Sequence, residues 1–369
     1  MATQSVSHPK RLSKLKSRIK SARYSGMLVT DPVNVTYLTG FTGDSTFLLV
    51  TASSELLISD TRYTTQIAEE CPGFDTLIRD SGGTTLGMAG KAVQKSKLSQ
   101  LAFEADSLTK ANYDKLKTSL PGCELISTTG WCAEQRAIKD KTELAAIRKS
   151  IDVNQRAFEV IRAQLRGEQT ELQIAHNLEH QIRAFGGTRC AFDPIVGVGA
   201  RAALPHGTPT EARIDDAPFV LFDWGSQVDH YASDITRVLV TGKISKRFRT
   251  VYETVLKAQK AAIAKIKPGV SLQVVDKAAR KIIDDAGFGK YFGHGLGHSF
   301  GLQIHEMPYL SPIHEGTLET GMVVTIEPGI YIPGSIGVRI EDDILVTKTG
   351  HEVLSSLPKE LDECVVSLL

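Results

Sequence analysis

The sequence predicts two domains, an N-terminal α/β domain over residues 1–135 and a C-terminal α+β domain over residues 136–369. Three observations lead to this prediction. The length of 369 residues exceeds that of a typical single domain. Short β-like segments alternate with helical segments in the first part, and one order of elements occurs twice in the second part. A charged segment at 139–143 marks the junction.

The composition is that of an ordinary globular protein. Hydrophobic residues make up 41% of the chain and charged residues 23%, which are usual proportions. The formal net charge of +1 gives no reason to expect nucleic acid or an anionic membrane as a partner. No apolar run approaches the roughly 18 residues of a membrane-spanning helix. Five scattered cysteines without a CxxC pair predict free thiols in a cytoplasmic protein.

The first thirty residues allow two interpretations. They contain no acidic residue and are rich in Lys, Arg and Ser, a composition that resembles a transit peptide. However, Leu12, Leu15 and Ile19 recur at helical spacing, and the segment continues directly into the strand-like residues 26–30. We therefore predict an amphipathic first helix with a solvated basic face.

Strand-like and helical patterns alternate through the rest of the first domain. The predicted strands lie at 27–30, 46–51, 55–59 and 100–104, and the predicted helices at 61–70, 85–96 and 107–118. This alternation predicts a mixed sheet with helices packed on it. The segment contains no nucleotide-binding glycine pattern and no cluster of catalytic residue types.

The second domain shows the order helix, helix, histidine segment and acidic hairpin twice. In the first copy the helices lie at 141–166 and from Thr170 to about 186, and the strands at 219–223 and 231–240. In the second copy the helices lie at 246–266 and 271–286, and the strands at 323–327 and 338–346. Thr170 and Gln173 predict a capping box at the second helix of the first copy, and Ser271 is predicted to cap the second helix of the second copy. We interpret the pattern as a duplication that produces a pseudo-twofold domain. Chance recurrence of a common arrangement is the alternative.

The segment at 292–308 concentrates histidine and glycine. His294, His298 and His305 lie within twelve residues, among four glycines. A single buried histidine is usually a hydrogen-bonded core residue. Three together indicate metal binding or acid–base chemistry, because imidazole serves both purposes near neutral pH. The glycines predict backbone that is pressed closely against a neighbouring segment.

Each predicted hairpin carries two acidic residues within apolar strands. Asp223 and Asp234 lie on either side of the first turn, and Glu327 and Glu341 are centred on Gly334 in the second. We expect each pair to face each other across its hairpin, with Cβ atoms about 5 Å apart. A solvated sheet face is the alternative, but the neighbouring residues are Leu, Phe, Ile and Val.

Carboxylates held so close together repel unless cations neutralise them. Four carboxylates and one neutral imidazole carry about −4, which two divalent cations would balance. A pair of metal ions about 3.5–4 Å apart is a common solution to this problem. Oxygen-rich ligation with a single nitrogen favours Mn, Fe or Co over a thiolate-type zinc site.

With these residues the sequence resembles the pita-bread metallopeptidases, the family of methionine aminopeptidase, aminopeptidase P and prolidase. The motifs that carry the resemblance are SDITR (233–237), HGLGHSFGLQIHE (294–306), TIEPGIY (325–331) and GVRIEDD (337–343). Residues 34–43 and 59–63 resemble the creatinase-type N-terminal domain, which methionine aminopeptidases lack. The resemblance covers nearly the whole chain. It implies a creatinase-type α/β domain followed by an α+β pseudo-twofold pita-bread catalytic domain.

The resemblance also implies roles for individual residues. The ligands of two divalent metal ions, Mn first with Co, Fe or Zn as alternatives, would be Asp223, Asp234, His298, Glu327 and Glu341. Glu327 would also shuttle the proton of a metal-bridging water that attacks the scissile carbonyl. His206, in the sequence Leu-Pro-His, and His305 would be catalytic donors to the substrate. On the substrate-binding side, His294 would line the pocket and Arg339 would orient Glu341, although Arg339 also fits a surface strand arginine.

The implied substrates are small peptides with proline at the second position, and the implied assembly is a homodimer whose N-terminal domains narrow the active-site cleft. We take an aminopeptidase P-like Xaa-Pro aminopeptidase as the leading hypothesis and an Xaa-Pro dipeptidase, or prolidase, as the alternative. A metal-free hydrolase such as creatinase and a binding or chaperone-like protein of the same fold are less favoured, because all five ligands are present.

Two positions depart from the family pattern. Arg201 stands where relatives often have Asn ahead of the Leu-Pro-His sequence, and Ser299-Phe300 replaces a common Gly-Ile. The first departure leaves a backbone or substrate contact open, and the second leaves the shape of the pocket open.

Overall fold

A computed structural model of the protein describes residues 7–369. The chain divides into two compact units, Met1–Arg136 and Ala137–Leu369. The predicted amphipathic helix is present, and the part of the N-terminal interpretation that concerns residues 1–6 lies outside the described residues. Across residues 7–369, every helix is too short or too polar to traverse a lipid bilayer.

Within residues 7–137, the first unit contains one mixed sheet and six α-helices, the last of which ends one residue beyond Arg136. The helices are α1 His8–Ser21, α2 Pro32–Thr39, α3 Thr64–Glu70, α4 Thr85–Lys95, α5 Lys110–Ser119 and α6 Trp131–Ala137. The strands are β1 Gly26–Val29, β2 Phe47–Thr51, β3 Glu55–Asp60, β4 Asp75–Arg79, β5 Gln100–Glu104 and β6 Glu124–Thr128. The sheet order is β4-β3-β2-β1-β5-β6, with β1-β2 and β2-β3 antiparallel and the other pairs parallel.

The predicted apolar residues form the core of this unit. Leu12, Leu15 and Ile19 of α1 are buried, as their helical spacing predicts. Helix α2 begins after Asp31, whose side chain accepts a hydrogen bond from the backbone N–H of Val33. Aspartate followed by proline is a typical helix start, because the side chain satisfies a free N–H of the first turn.

The second unit contains four long helices and a series of antiparallel strands. The helices are α7 Lys141–Ala163, α8 Glu171–Ala184, α9 Lys246–Ile263 and α10 Leu272–Asp285. The strands of the first half are β7 Arg189–Cys190, β8 Ile195–Val198, β9 Phe219–Trp224, β10 Ser226–Val228, β11 Tyr231–Ala232 and β12 Ile235–Val240. Those of the second half are β13 Gly297–Ser299, β14 Glu306–Leu310, β15 Val323–Ile326, β16 Gly329–Ile332, β17 Ile336–Arg339, β18 Asp342–Val346 and β19 His351–Val353.

Each half of this unit therefore has two helices followed by antiparallel strands, in the predicted order. Helix α8 starts with the predicted capping box, in which Thr170 and Gln173 hydrogen-bond each other's backbone N–H groups. The prediction that Ser271 caps α10 with its side chain is wrong, because Ser271 makes no side-chain cap hydrogen bond. Its backbone oxygen instead accepts hydrogen bonds from Val274 and Val275.

Aromatic packing fixes helix α7 against the strand that carries Asp223. The ring of Phe158 stacks on Trp224 with centroids 4.1 Å apart. Asn154 and Trp224 exchange two hydrogen bonds of 3.2 Å, each from a side chain to the other residue's backbone oxygen. Because all three residues are buried, the end of β9 is held rigidly next to Asp223.

Two glycines allow backbone segments to approach each other closely around the same region. A Cβ atom at Gly297 would overlap the carbonyl oxygen of Thr325, and one at Gly337 would overlap the carbonyl oxygen of Ala202. This confirms close backbone contact at Gly297 of the histidine-rich segment. Gly295 is also tightly approached, since an added Cβ atom would lie 3.0 Å from the carbonyl oxygen of Leu310, whereas Gly293 has open space around it.

Candidate metal centre

The two acidic residues of the first half lie where their strands meet. Asp223 is in β9, and Asp234 lies in the interruption between β11 and β12; both are buried. The prediction that they stand directly opposite each other is wrong, because the β9–β12 register pairs Asp223 with Thr236. The segment that was predicted to form the turn contains strand β10, which displaces the chain reversal to residues 229–230.

The second half agrees with its predicted geometry. Strands β15 and β18 pair Ile326 with Asp342, and strands β16 and β17 pair Gly329 with Arg339. The two pairings have the same register, and Glu327 and Glu341 lie between them in the chain. They therefore lie opposite each other.

These residues form one continuous cluster. Single carboxylate oxygens of Asp223, Asp234 and Glu341 all lie within 4.8 Å of one another. His298 connects this group to the fourth carboxylate, because its Nε2 is 3.6 Å from Asp234 Oδ2 and 3.4 Å from Glu327 Oε1. The structure thus brings together all five sequence-predicted ligands, from five separate segments of the second unit.

The hydrogen bond of His298 fixes the form of its imidazole ring. Its Nδ1 lies 3.1 Å from the carbonyl oxygen of Ser299, so Nδ1 must carry the proton that is donated. Burial lowers the pKa of His298 to about 4, which keeps the ring neutral. The unprotonated Nε2 consequently directs its lone pair towards the carboxylates. This is the orientation that a metal-ligating histidine requires.

The electrostatics of the cluster are unfavourable without cations. Burial raises the pKa of Glu327 from 4.5 to about 8, and burial together with the neighbouring carboxylates raises the pKa values of Asp234 and Glu341 well above the usual range. In addition, Asp223 Oδ1 is buried and has no hydrogen-bond partner among residues 7–369. Uncompensated oxygen acceptors around one imidazole lone pair fit the preferences of divalent cations such as Mn²⁺.

A buried arginine links the two halves of the cluster. Arg339 donates to Asp223 Oδ2 in a short hydrogen bond, to the hydroxyl of Tyr331 at 2.7 Å and to Oγ1 of Thr236 at 3.0 Å. Thr236 in turn donates to Glu341 Oε2 at 2.7 Å. Arg339 is only 3% exposed, which excludes the surface-arginine interpretation. It reaches Glu341 through Thr236, and its direct carboxylate partner is Asp223.

The remaining predicted histidines surround a cavity of about 780 Å³ next to the cluster. His294 accepts the hydrogen bond of the Tyr331 hydroxyl at 2.9 Å, because its own Nδ1 donates to the carbonyl oxygen of Gly295. His305 is exposed and lines the cavity, and the centroid of its ring lies 4.5 Å from that of His298. His206 is exposed and lines the same cavity. The cluster and these three histidines therefore share one cavity.

Sequence reasoning missed several residues that support the cluster. Thr325 donates to Glu327 and accepts a hydrogen bond from the backbone N–H of His298, and Thr236 bridges Arg339 and Glu341. Thr325 lies two residues before Glu327 and Thr236 two residues after Asp234. The two-residue periodicity of strands could have predicted both. Tyr331 lies within the motif TIEPGIY, but nothing in the sequence pattern identifies it as a residue that supports the cluster.

The two departures from the family pattern point away from the cavity. Phe300 is fully buried, Ser299 accepts a hydrogen bond from Lys139 at 2.7 Å, and neither residue lines the cavity. Arg201 donates to the buried carboxylate of Glu171 and likewise does not line the cavity. Their side chains are therefore not part of the cavity wall.

The raised pKa values predict that the metal-free protein becomes less stable as the pH rises. The folded protein retains carboxyl protons that the unfolded chain releases near pH 4, whereas its buried histidines, whose pKa values are lowered, lack protons that unfolded histidines hold below about pH 6.5. Between roughly pH 6.5 and 8 only the carboxyl effect remains, so there the folded protein binds more protons than the unfolded chain. Over that interval the melting temperature of the metal-free protein should fall. Saturating Mn²⁺ should raise it and flatten the dependence, because a cation that binds only the folded state stabilises it.

Thermal melts of the chelator-treated protein from pH 6.5 to pH 8, with and without Mn²⁺, provide the measurement. The Glu327→Gln variant is the control, since it removes one of the titrating groups and should show a shallower slope. A metal-free protein whose melting temperature increases from pH 6.5 to pH 8 would contradict the prediction.

Comparison with known proteins identifies similar chains along the whole length. Residues 145–348 match the family model described as Metallopeptidase family M24, and residues 11–138 match the Creatinase/Prolidase N-terminal domain. The Xaa-Pro dipeptidase from Bacillus anthracis is 36% identical and superimposes with a TM-score of 0.92, covering 98% of this chain and 100% of that chain.

Two further solved structures carry different activities in their names. The prolidase from Pyrococcus horikoshii OT3 is 32% identical, with a TM-score of 0.89 and coverage of 95% of this chain and 99% of that chain. The X-Pro aminopeptidase from Thermotoga maritima MSB8 is also 32% identical, with a TM-score of 0.86 and coverage of 95% and 100%, respectively.

Proposed function

Because this chain belongs to metallopeptidase family M24 and carries a creatinase/prolidase N-terminal domain, we propose that it is a metal-dependent Xaa-Pro dipeptidase. The predicted fold class, a creatinase-type domain followed by a pseudo-twofold pita-bread domain, is confirmed by the same matches and by the similarity of the whole fold to an Xaa-Pro dipeptidase. The chain is thus a prolidase-like peptidase. Its preference for dipeptides is the part that we propose.

The observation that carries this proposal is a complete donor cluster in a chain that matches an Xaa-Pro dipeptidase over 98% of its length. The sequence alone favoured an aminopeptidase P-like activity, and the comparisons support the dipeptidase alternative better. The aminopeptidase remains the second candidate, because one similar structure is an X-Pro aminopeptidase.

We propose that two divalent cations bind Asp223, Asp234, His298, Glu327 and Glu341. Mn²⁺ is the favoured ion, and Co²⁺, Fe²⁺ and Zn²⁺ are alternatives, because the donors are mainly oxygens with one imidazole nitrogen. When bound, the cations supply Lewis-acid activation of a water molecule and of the scissile carbonyl group. The hydrogen bonds of Arg339 to Asp223 and of Thr236 to Glu341 hold two of these carboxylates in fixed orientations.

Glu327 is proposed to move the proton of the reaction. Its carboxylate lines the cavity, where it can exchange a proton with a molecule bound there. The water oxygen forms a bond to the carbonyl carbon, and Glu327 takes the water proton. Glu327 then delivers that proton to the proline nitrogen as the carbon–nitrogen bond breaks.

The imidazoles of His206 and His305 are proposed to donate hydrogen bonds to the substrate carbonyl oxygen as negative charge develops on it. The pKa of His305 is lowered by burial, so the ring is a neutral donor at neutral pH. His294 is proposed to contact the substrate from the wall that it shares with Tyr331. None of these three rings is needed to complete the proposed donor set of the metal ions.

The proposed enzyme is a cytoplasmic homodimer. All five cysteines are free, which agrees with a reducing compartment. The homodimer follows from the family resemblance alone, and the mass of the purified protein in solution tests it.

The decisive experiment compares Ala-Pro with Ala-Pro-Ala under saturating Mn²⁺. A dipeptidase must recognise the free carboxylate next to proline, so kcat/KM for Ala-Pro should exceed that for Ala-Pro-Ala by at least about tenfold, the effect of losing one charged contact. Pro-Ala serves as the substrate control and Glu327→Gln as the inactive enzyme control. A preference for Ala-Pro-Ala would support the aminopeptidase, and cleavage of neither peptide would contradict both.

A further inference from the structure

His206 lies on an exposed turn that connects two well-ordered segments. The turn at 204–209 follows a 3₁₀ helix at Gly199–Ala203 and precedes a second 3₁₀ helix at Ile214–Asp216. Leu204 is 49% exposed, and His206 is exposed as well. An exposed turn of this kind usually moves more than the elements it connects. A histidine that must meet a substrate atom therefore needs additional contacts to hold it in place.

The carboxylate of Glu171 supplies such contacts from outside the cavity. Glu171 is the first residue of α8 and is fully buried. It accepts hydrogen bonds of 2.8 Å from the backbone N–H groups of Val198 and Thr210 and from the hydroxyl of Thr210. These partners lie on either side of His206 in the chain. One carboxylate thus fixes the beginning and the end of the segment that carries His206.

Arg201 completes the connection across the turn. Its Nε donates to both oxygens of Glu171, at 2.9 Å and 2.8 Å, and its Nη2 donates to the carbonyl oxygen of Thr208 at 2.7 Å. Thr208 is only two residues beyond His206. The arginine therefore anchors the far side of the turn to the buried end of α8.

The base of the turn is also fixed on its inner side. The backbone of Ala202 lies directly against Gly337, where a Cβ atom would overlap its carbonyl oxygen. Gly337 belongs to the same strand as Arg339. The turn is consequently held on one side by strand β17, which carries Arg339, and on the other side by Glu171 and Arg201.

We propose that Glu171 and Arg201 are positioning residues that hold His206 towards the cavity. Neither side chain lines the cavity, whereas His206 does, so their effect on the reaction must pass through the turn. This inference rests on the proposed role of His206 as a donor to the substrate carbonyl. It assigns a function to Arg201, the position at which the sequence departs from its relatives.

The test is the Arg201→Met variant under saturating Mn²⁺. Misplacement of His206 by about 1 Å should lower kcat about 10- to 100-fold. KM should change much less, because the lost contact strengthens only in the transition state. Metal content should be unchanged. Arg201→Lys should recover part of kcat, because the lysine ammonium group keeps the positive charge next to Glu171. Recovery should be incomplete, since an ammonium group cannot contact Glu171 and Thr208 together as the planar guanidinium does.

Arg213→Met is the matched control. Arg213 makes a similar two-bond pair with Asp215 at 3.1 Å and 2.9 Å a few residues further along the chain. It does not line the cavity, so its loss should leave kcat and KM at the wild-type values.

A double-mutant cycle separates positioning from general destabilisation. In the His206→Ala background, Arg201→Met should cause no further loss of kcat beyond about twofold. If the two losses multiply, or if Arg201→Met is fully active, the proposal is wrong. The histidine Cε1–H spectrum of the metal-free protein gives a readout that does not depend on turnover: the His206 signal should be single in the wild type and broadened or split in Arg201→Met. An inactive wild type with a single His206 signal would refute the proposed function and leave the positioning intact.

Discussion

The His305→Ala variant is expected to retain its metal and its melting temperature while its kcat falls by about 10²–10³-fold, the usual effect of removing one oxyanion donor. The physical reason is its position. The His305 ring lies 4.5 Å from that of His298 and lines the cavity, but it is not part of the buried acidic cluster. KM should change much less than kcat, because the hydrogen bond strengthens as charge develops on the carbonyl oxygen.

His298→Ala is the matched variant for this prediction. Its Nε2 faces Asp234 and Glu327, so its loss should lower metal occupancy, and excess Mn²⁺ should restore part of the rate. Elemental analysis, thermal melts and steady-state kinetics of both variants decide between the roles. The assignment is wrong if His305→Ala loses metal as readily as His298→Ala or turns over at the wild-type rate.

Replacing Arg339 by Met should destabilise the metal-free protein by about 3–5 kcal/mol, the usual cost of removing one partner from a buried ion pair. The variant leaves Asp223 without its cationic partner and Tyr331 without a donor. Mn²⁺ should then stabilise the variant more than it stabilises the wild type, because a bound cation restores positive charge next to Asp223. Activity per folded molecule should remain low, since Thr236 loses the hydrogen bond that orients it.

Arg237→Met provides the control for this prediction. Arg237 is equally buried, at 1% exposure, and pairs with Asp342 at 2.7 Å on the side of the strand away from the cavity. Its loss should cost similar stability, but Mn²⁺ should shift its melting temperature only as much as it shifts that of the wild type. Equal metal-induced shifts for both arginine variants would contradict the proposed contribution of Arg339 to the metal centre.

The carboxylates were predictable because they violate the pattern of the strands that contain them. An acidic residue directly after an apolar strand, as at Asp223 and Glu327, is costly unless a partner compensates its charge. Because Glu327 and Glu341 are centred on the turn at Gly334, the strand register of the second half could also be predicted correctly. In the first half the chain inserts β10 before the turn, and a three-residue strand with little periodicity gives no such signal.

The connections between distant residues could not be read from the sequence. Arg339 and Asp223 are 116 positions apart, and Arg201 and Glu171 are 30 apart. The first pairing depends on how the two halves of the second unit pack, and the second on how helix α8 packs against the segment after β8. Local spacing encodes neither. Helix α2 was also missed, because its valines and threonines favour strands. The cap at Asp31 and the following proline were the signal that outweighed this preference.

The close backbone contacts at Gly297 and Gly337 affect how the active site tolerates sequence change. Even an alanine at either position would push a carbonyl oxygen away, at Thr325 next to Glu327 or at Ala202 next to the turn that carries His206. A saturation-mutagenesis screen scored by turnover would therefore rank these two glycines with the carboxylates, although neither carries a reactive group. A library intended to alter substrate preference has more freedom at the exposed rim of the cavity, where Ile313 is 83% exposed.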